Sequence, residues 1–164
     1  MAIRKIRTIG DEILRKHCKP VKEITPRITE LIVDMFETMY ETNGVGLAAS
    51  QVGILKQIVV IDVDDGNQYV LINPEIVETR GSQTGPEGCL SVPGKSGTVT
   101  RPEYVKVKAF DASMEPFELE GEGFLARAIC HECDHLNGDL YVDKVEGELE
   151  DVSLEEEEEG EVEE

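Results

Sequence analysis

His131-Glu132-Cys133-Asp134-His135-Leu136 is the stretch on which the reading of this chain turns. It closes an apolar-periodic run that begins near Gly123 and is halted by Asn137-Gly138, so it belongs at the end of a helix. At about 100° per residue, histidines four apart lie within about 40° of each other and present both imidazoles to one ion. Glu132 falls to one side of them, close enough to touch a water on that ion without ligating it. The plainer alternative is an amphipathic helix end that carries two histidines by chance. Only three histidines occur in the chain, which makes chance a poor explanation.

Upstream of this helix, Val105-Lys106-Val107-Lys108-Ala109-Phe110 alternates, turns at Asp111-Ala112-Ser113 and pairs with residues 117–120 as a hairpin. An earlier hairpin joins the β-branched run Ile58-Val59-Val60-Ile61 to Tyr69-Val70-Leu71-Ile72 through Asp64-Asp65-Gly66-Asn67, and residues 75–78 extend the sheet. Between the hairpins, residues 81–100 hold Gly81, Gly85, Gly88, Gly94 and Gly97, a density that predicts an irregular functional loop. Nearer the start, Thr25 caps and Pro26 opens a helix whose Ile28, Leu31, Ile32, Met35 and Met39 form one apolar face before Asn43-Gly44 ends it. The methionines on that face are core rather than ligand surface. Asp11-Glu12-Ile13-Leu14-Arg15 suits a short helical turn. Helix, strands, then helix predicts an α+β fold with a mainly antiparallel sheet.

The chain has 164 residues, one domain's worth, with 40% hydrophobic and 31% charged residues, as in soluble globular proteins. Aromatics are 5% with no Trp, too few to build stacking platforms for single-stranded nucleic acid. The formal charge is −19, but 12 acidic and no basic residues fall in 145–164, which leaves −7 for residues 1–144. The body is expected to end near Lys144, with 145–164 an acidic tail too repulsive and too poor in apolar residues to hold fixed structure. No apolar run is long enough to span a bilayer, and Met1-Ala2-Ile3-Arg4-Lys5-Ile6-Arg7 lacks a signal-peptide core, so a cytoplasmic location is expected.

Two histidines leave a tetrahedral site incomplete. No histidine follows His135, and the later glutamates lie mostly in the acidic tail. Cys89, in Glu87-Gly88-Cys89-Leu90-Ser91, is the better third ligand, since Gly88 lets backbone approach closely and a thiolate binds strongly. Its alternative is a buried small hydrophobe. Cys130 and Cys133 form a CxxC, yet on the helix they point about 100° to 200° away from the histidine face, so inert buried thiols are expected. Cys18 and His17 are expected at the surface or in minor packing. In Gly44-Val45-Gly46-Leu47-Ala48-Ala49-Ser50-Gln51, little side-chain bulk stands in a ligand's way, and the Gln51 amide can donate to an oxyanion. Gly-x-Gly after a helix, without a third glycine or a Lys-Ser/Thr, argues against dinucleotide and phosphate binding.

Together the segments 44–51, 87–91 and 131–136 resemble the peptide deformylase family, in the family's order, with looser similarity from Ile3 to Val142 that includes Asp11, Leu14, Arg15 and Asn73-Pro74. The resemblance implies one domain of antiparallel sheets packed around a central helix carrying HExxH. It also implies a metal-dependent amidohydrolase that removes the N-formyl group from the N-terminal formylmethionine of new polypeptides and releases formate. Cys89, His131 and His135 would ligate one divalent ion, Fe(II) with Zn, Ni or Co as substitutes. Glu132 would be the general base, and Gln51 with the Leu90 N–H would hold the oxyanion. Gly44, Val45, Gly46, Glu87, Gly88, Phe124, Arg127 and Ala128 are the candidates for binding substrate; the last three share the helix face of His131. The implied partner is a formylmethionyl nascent peptide, met transiently at the ribosome, with no membrane and no direct nucleic-acid binding expected from so acidic a chain. Cys130 departs from the family, many of whose members carry Gln there, and the acidic tail is outside its pattern. A general HExxH metallopeptidase and a module with a closed structural metal site are the competing readings.

Overall fold

The computed structural model describes residues 2–152. Thr25 accepts a hydrogen bond from the Ile28 N–H at 3.3 Å and starts helix α1, Pro26–Glu41, whose Ile28, Leu31, Ile32, Met35 and Met39 are all buried. Each such side chain contributes about 1.5–3 kcal/mol by leaving water. A short strand β1, Gly46–Ala48, then leads through one 3₁₀ turn to β2, Ile58–Ile61.

All four residues of β2 are buried because its sheet is covered on both faces. Ile58 and Val60 pack with Leu31, Ile32, Met35 and Met39 of α1, while Val59 and Ile61 pack on the opposite side with Ala126, Ile129 and Cys130. Those three belong to α2, Phe124–Leu136. The sheet is antiparallel throughout, in the order β1-β2-β3-β6-β7, where β3 is Tyr69–Arg80, β6 Tyr104–Phe110 and β7 Pro116–Glu122. The fold is α+β, with α2 between this sheet and a smaller one.

That smaller sheet corrects the expected glycine-rich loop at 81–100, for most of it is strand. β4, Gln83–Cys89, and β5, Val92–Arg101, pair antiparallel with Gln83 opposite Arg101 and Cys89 opposite Val92. The period-2 signal was hidden because the inward members of the second half of β5 are Gly97, Val99 and Arg101, only one of them a large apolar residue.

The expected boundary at Lys144 also shifts. β8, Glu146–Asp151, lies against β5, with Lys95 opposite Asp151 and Thr98 opposite Glu146. β8 is exposed along its length, but a β-carbon at Gly97 would come within 2.6 Å of Val145 and 3.2 Å of Leu149, so the absence of a side chain there admits both residues. Thr100 donates to Glu146 at 2.8 Å, and Lys95 pairs with Asp151. Residues 153–164 of the expected tail lie outside the described residues. Cys18, expected at the surface or in minor packing, is buried in the core around α2, its N–H donating to the Leu136 carbonyl at 2.9 Å.

Candidate active site

α2 turns its second face to the small sheet and brings three donors together. One ligand atom each from Cys89, His131 and His135 lies within 4.8 Å of the others, with Cys89 Sγ 3.3 Å from His135 Nε2. His131 Nδ1 is 2.6 Å from Glu87 Oε1, so its Nε2 is the nitrogen left to face the cluster. Burial, with the neighbouring His131 ring, holds His135 well below the usual histidine range, which favours the neutral ring that could ligate an ion. Its Nδ1 has no hydrogen-bond partner among the described residues. A cysteine sulfur and two imidazole nitrogens around one point form a donor set that fits a borderline divalent ion. The group comprises three side chains among the described residues, which leaves room for a non-protein ligand as in catalytic sites.

Glu132 is buried beside them, its Oε2 4.0 Å from His131 Nε2 and its Oε1 without a partner among the described residues. Burial pushes its carboxyl up to about 7, where a proton acceptor works near neutral pH. Gln51 is held from both sides: its Oε1 accepts from the Ala48 N–H at 2.9 Å, and its Nε2 donates to Ser91 Oγ at 3.0 Å and reaches Cys89 Sγ at 3.5 Å. The Ser91 N–H also points to Cys89 Sγ, at 3.4 Å.

A cavity of about 420 Å³ opens onto this cluster and is bordered by Gly44, Val45, Gly46, Gln51, Leu90, Phe124 and Ala128 among others. Phe124, 55% exposed, stands on its rim rather than in the core, and Ala128 is buried in its wall. Gly88, Glu87 and Arg127 border it too, but the charged ends of the last two are engaged. Glu87 accepts from Arg127 at 2.7 Å, from Arg101 at 2.5 and 3.2 Å, and faces His131. Although burial works to raise it, hydrogen bonds from His131 and Arg101 hold the Glu87 carboxyl down at about 2. Arg127 also donates to the Val99 carbonyl at 3.1 Å. Glu87, named among the substrate contacts from sequence, thus has its side chain turned to the histidine.

Three residues escaped the sequence reading. Ser91 stands inside the 87–91 motif, so its neighbourhood to Cys89 was a signal. Arg101 and Tyr141 carry none: they are a strand-end arginine and a lone aromatic far along the chain. The Tyr141 ring stacks on His131, centroids 6.0 Å apart, and is 1% exposed. Cys130 and Cys133 face away from the cluster and pack with the α2 core, where burial raises both thiols, that of Cys130 to about 11.

Fold and donor cluster together fit a metal-dependent hydrolase. The sequence model described as polypeptide deformylase matches residues 3–150. A peptide deformylase of Lachnoclostridium phytofermentans is 63% identical over 163 residues, covering 98% of this chain and 100% of that one. That of Agathobacter rectalis is 64% identical over 155 residues, covering 94% and 98%. A crystal structure of a peptide deformylase from Legionella pneumophila superposes with a TM-score of 0.85 at 51% identity, over 88% of this chain and 86% of that one. One from Synechococcus elongatus, in complex with actinonin, gives 0.84 at 46% identity, over 87% and 78%. The chain belongs to the polypeptide deformylase family.

Proposed function

We propose that Glu132, Gln51 and the Leu90 N–H, beside an ion held by Cys89, His131 and His135, carry out the family's reaction in this chain. That reaction is the hydrolytic removal of the N-formyl group from the N-terminal formylmethionine of newly made polypeptides, with release of formate. An ion bound there supplies Lewis acidity, which polarises a carbonyl oxygen and makes water more acidic. Glu132 accepts the proton of the attacking water and returns it to the amine as the C–N bond breaks. Gln51, its Oε1 fixed by the Ala48 N–H, borders the cavity beside Cys89, and its Nε2, turning the hydrogen now on the 3.5 Å contact to Cys89 Sγ, joins the Leu90 N–H to stabilise the negative oxygen of the tetrahedral intermediate.

The observation that carries this assignment is the unpartnered Glu132 Oε1 beside the three-donor cluster. Phe124 and Ala128 border the space we assign to the methionine side chain. The ion we assign is iron(II), with Zn, Ni or Co able to replace it; a thiolate among the ligands makes an iron(II) centre sensitive to oxygen. The nascent chain is met in the cytoplasm, transiently at the ribosome and without direct RNA binding, a reading supported by four free cysteines and a formal charge of −19. Among the described residues no helix is long and apolar enough to cross a membrane.

The test is formate release from a formyl-Met-Ala peptide by anaerobically purified Fe(II)- or Ni(II)-loaded protein. Glu132→Gln should lower kcat by about 10²–10⁴-fold while the metal content stays unchanged. Full activity in that variant would remove Glu132 as the base, and no formate from a fully loaded wild type would mean a changed substrate.

A further inference from the structure

Arg101 joins the two pieces of chain that supply the metal donors. Its Nη2 and Nε donate to Glu87, two residues before Cys89 in β4, and its Nη1 donates to Asp134 at 2.6 Å, one residue before His135 in α2. The side chain is 4% exposed and does not border the cavity, so it does not meet substrate. A guanidinium withdrawn from water is costly unless its donors are matched, and here the planar fork is shared between two carboxylates. Glu87 in turn fixes His131 through Nδ1, so a shift of Arg101 would be felt at both histidine-bearing and cysteine-bearing elements.

We propose that Arg101 is a positioning residue of the metal centre: by holding Glu87 and Asp134 at once, it sets the spacing between Cys89 and the His131/His135 pair. This rests on the assignment of those three residues as metal ligands. A second guanidinium, Arg127, lies on α2 itself and ties Glu87 to the first half of that helix, but its other donor goes to the Val99 carbonyl, so the Asp134–His135 end of α2 is left to Arg101. The link from Glu87 to the Asp134 end of α2, not the charge alone, is the device.

The experiment titrates the full-length, metal-free protein with Co(II) against a chromophoric chelator and follows the thiolate-to-cobalt absorption band. Arg101→Leu should bind Co(II) about tenfold more weakly, within the range for partners behind the ligands. Asp134→Ala keeps Arg101 on Glu87 and removes the acceptor on the α2 arm; it should weaken binding about tenfold and alter the band. Arg101→Lys, whose single ammonium cannot fork between two carboxylates, should stay near the leucine variant. A purely structural role would lower the thermal midpoint of the metal-free protein and leave Co(II) affinity and band unchanged. Wild-type affinity in either Asp134→Ala or Arg101→Lys overturns the proposal, and these two decide it if Arg101→Leu does not fold. Failure of the wild type itself to bind Co(II) with a thiolate band would instead overturn the ligand assignment.

Discussion

Gly46 and Glu132 meet so closely that a β-carbon on residue 46 would stand 2.5 Å from Glu132 Oε2. Gly46 cannot retreat, because β1 is fixed in the sheet with Gly46 opposite Ile61. Nor can Glu132, which is buried on α2. The missing side chain is therefore what leaves space for the carboxylate that we assign as the base.

Gly46→Ala should displace that carboxylate. We expect kcat for formyl-Met-Ala to fall by about 100-fold or more, the lower range of a lost general base, with bound metal retained. Steady-state kinetics with metal analysis checks this, and a nearly normal kcat would show that Glu132 relocates without cost.

Ala128→Trp should fill the wall beside Phe124. KM for formyl-Met peptides is expected to rise by about 10-fold or more while thermal stability changes little, because the new ring enters an open cavity rather than the core. Unchanged KM would remove Ala128 from the methionine space.

Asp34, 2% exposed on α1, anchors the first residues of the described chain: the Ala2 N–H donates to it at 2.6 Å and Arg4 Nε at 2.9 Å. Burial works to raise its carboxyl, but these two donors hold it below the ordinary aspartate range. A folded-state pKa below the unfolded one stabilises the protein above the unfolded value, about 3.9, and that stabilisation is lost as pH falls through the folded value. Asp34→Asn should cost about 2 kcal/mol at pH 7. Urea midpoints compared at pH 7, 5 and 3 should show the difference from wild type shrinking only below about pH 4. A difference independent of pH would show that the charge of Asp34 contributes nothing.

Two truncations test the place of β8. Ending the chain at Val152 should leave both turnover and thermal midpoint unchanged. Ending it at Lys144 removes Val145 and Leu149 from the surface over Gly97, which should cost about 1–2 kcal/mol and lower the midpoint by a few degrees. Calorimetry on the two truncated proteins checks this; equal midpoints would mean that β8 adds no stability.

Elements with local signals were legible in the chain alone. A capping Thr25 with Pro26 and an apolar face bounded α1, Asn137-Gly138 stopped α2, and the β-branched run at 58–61 announced a strand, because propensity, capping and periodicity act within a few residues. The HExxH spacing placed two imidazoles on one helix face for the same reason, and the order of three motifs carried the family. Other features emerged only when the layers were packed. β4 and β5 became strands through pairing with each other, although their inward positions include Gly97 and a charged Arg101, and β8 joined them by register rather than by apolar pattern. Glu87, two residues from Cys89 in the chain, turned its carboxylate to His131 because two buried arginines approach it from β5 and α2. Gly46 lies against Glu132, 86 positions away in the chain, and Arg101 reaches Asp134, 33 positions away. Such contacts depend on how layers stack, and that packing is a property of the whole fold rather than of any stretch of its sequence.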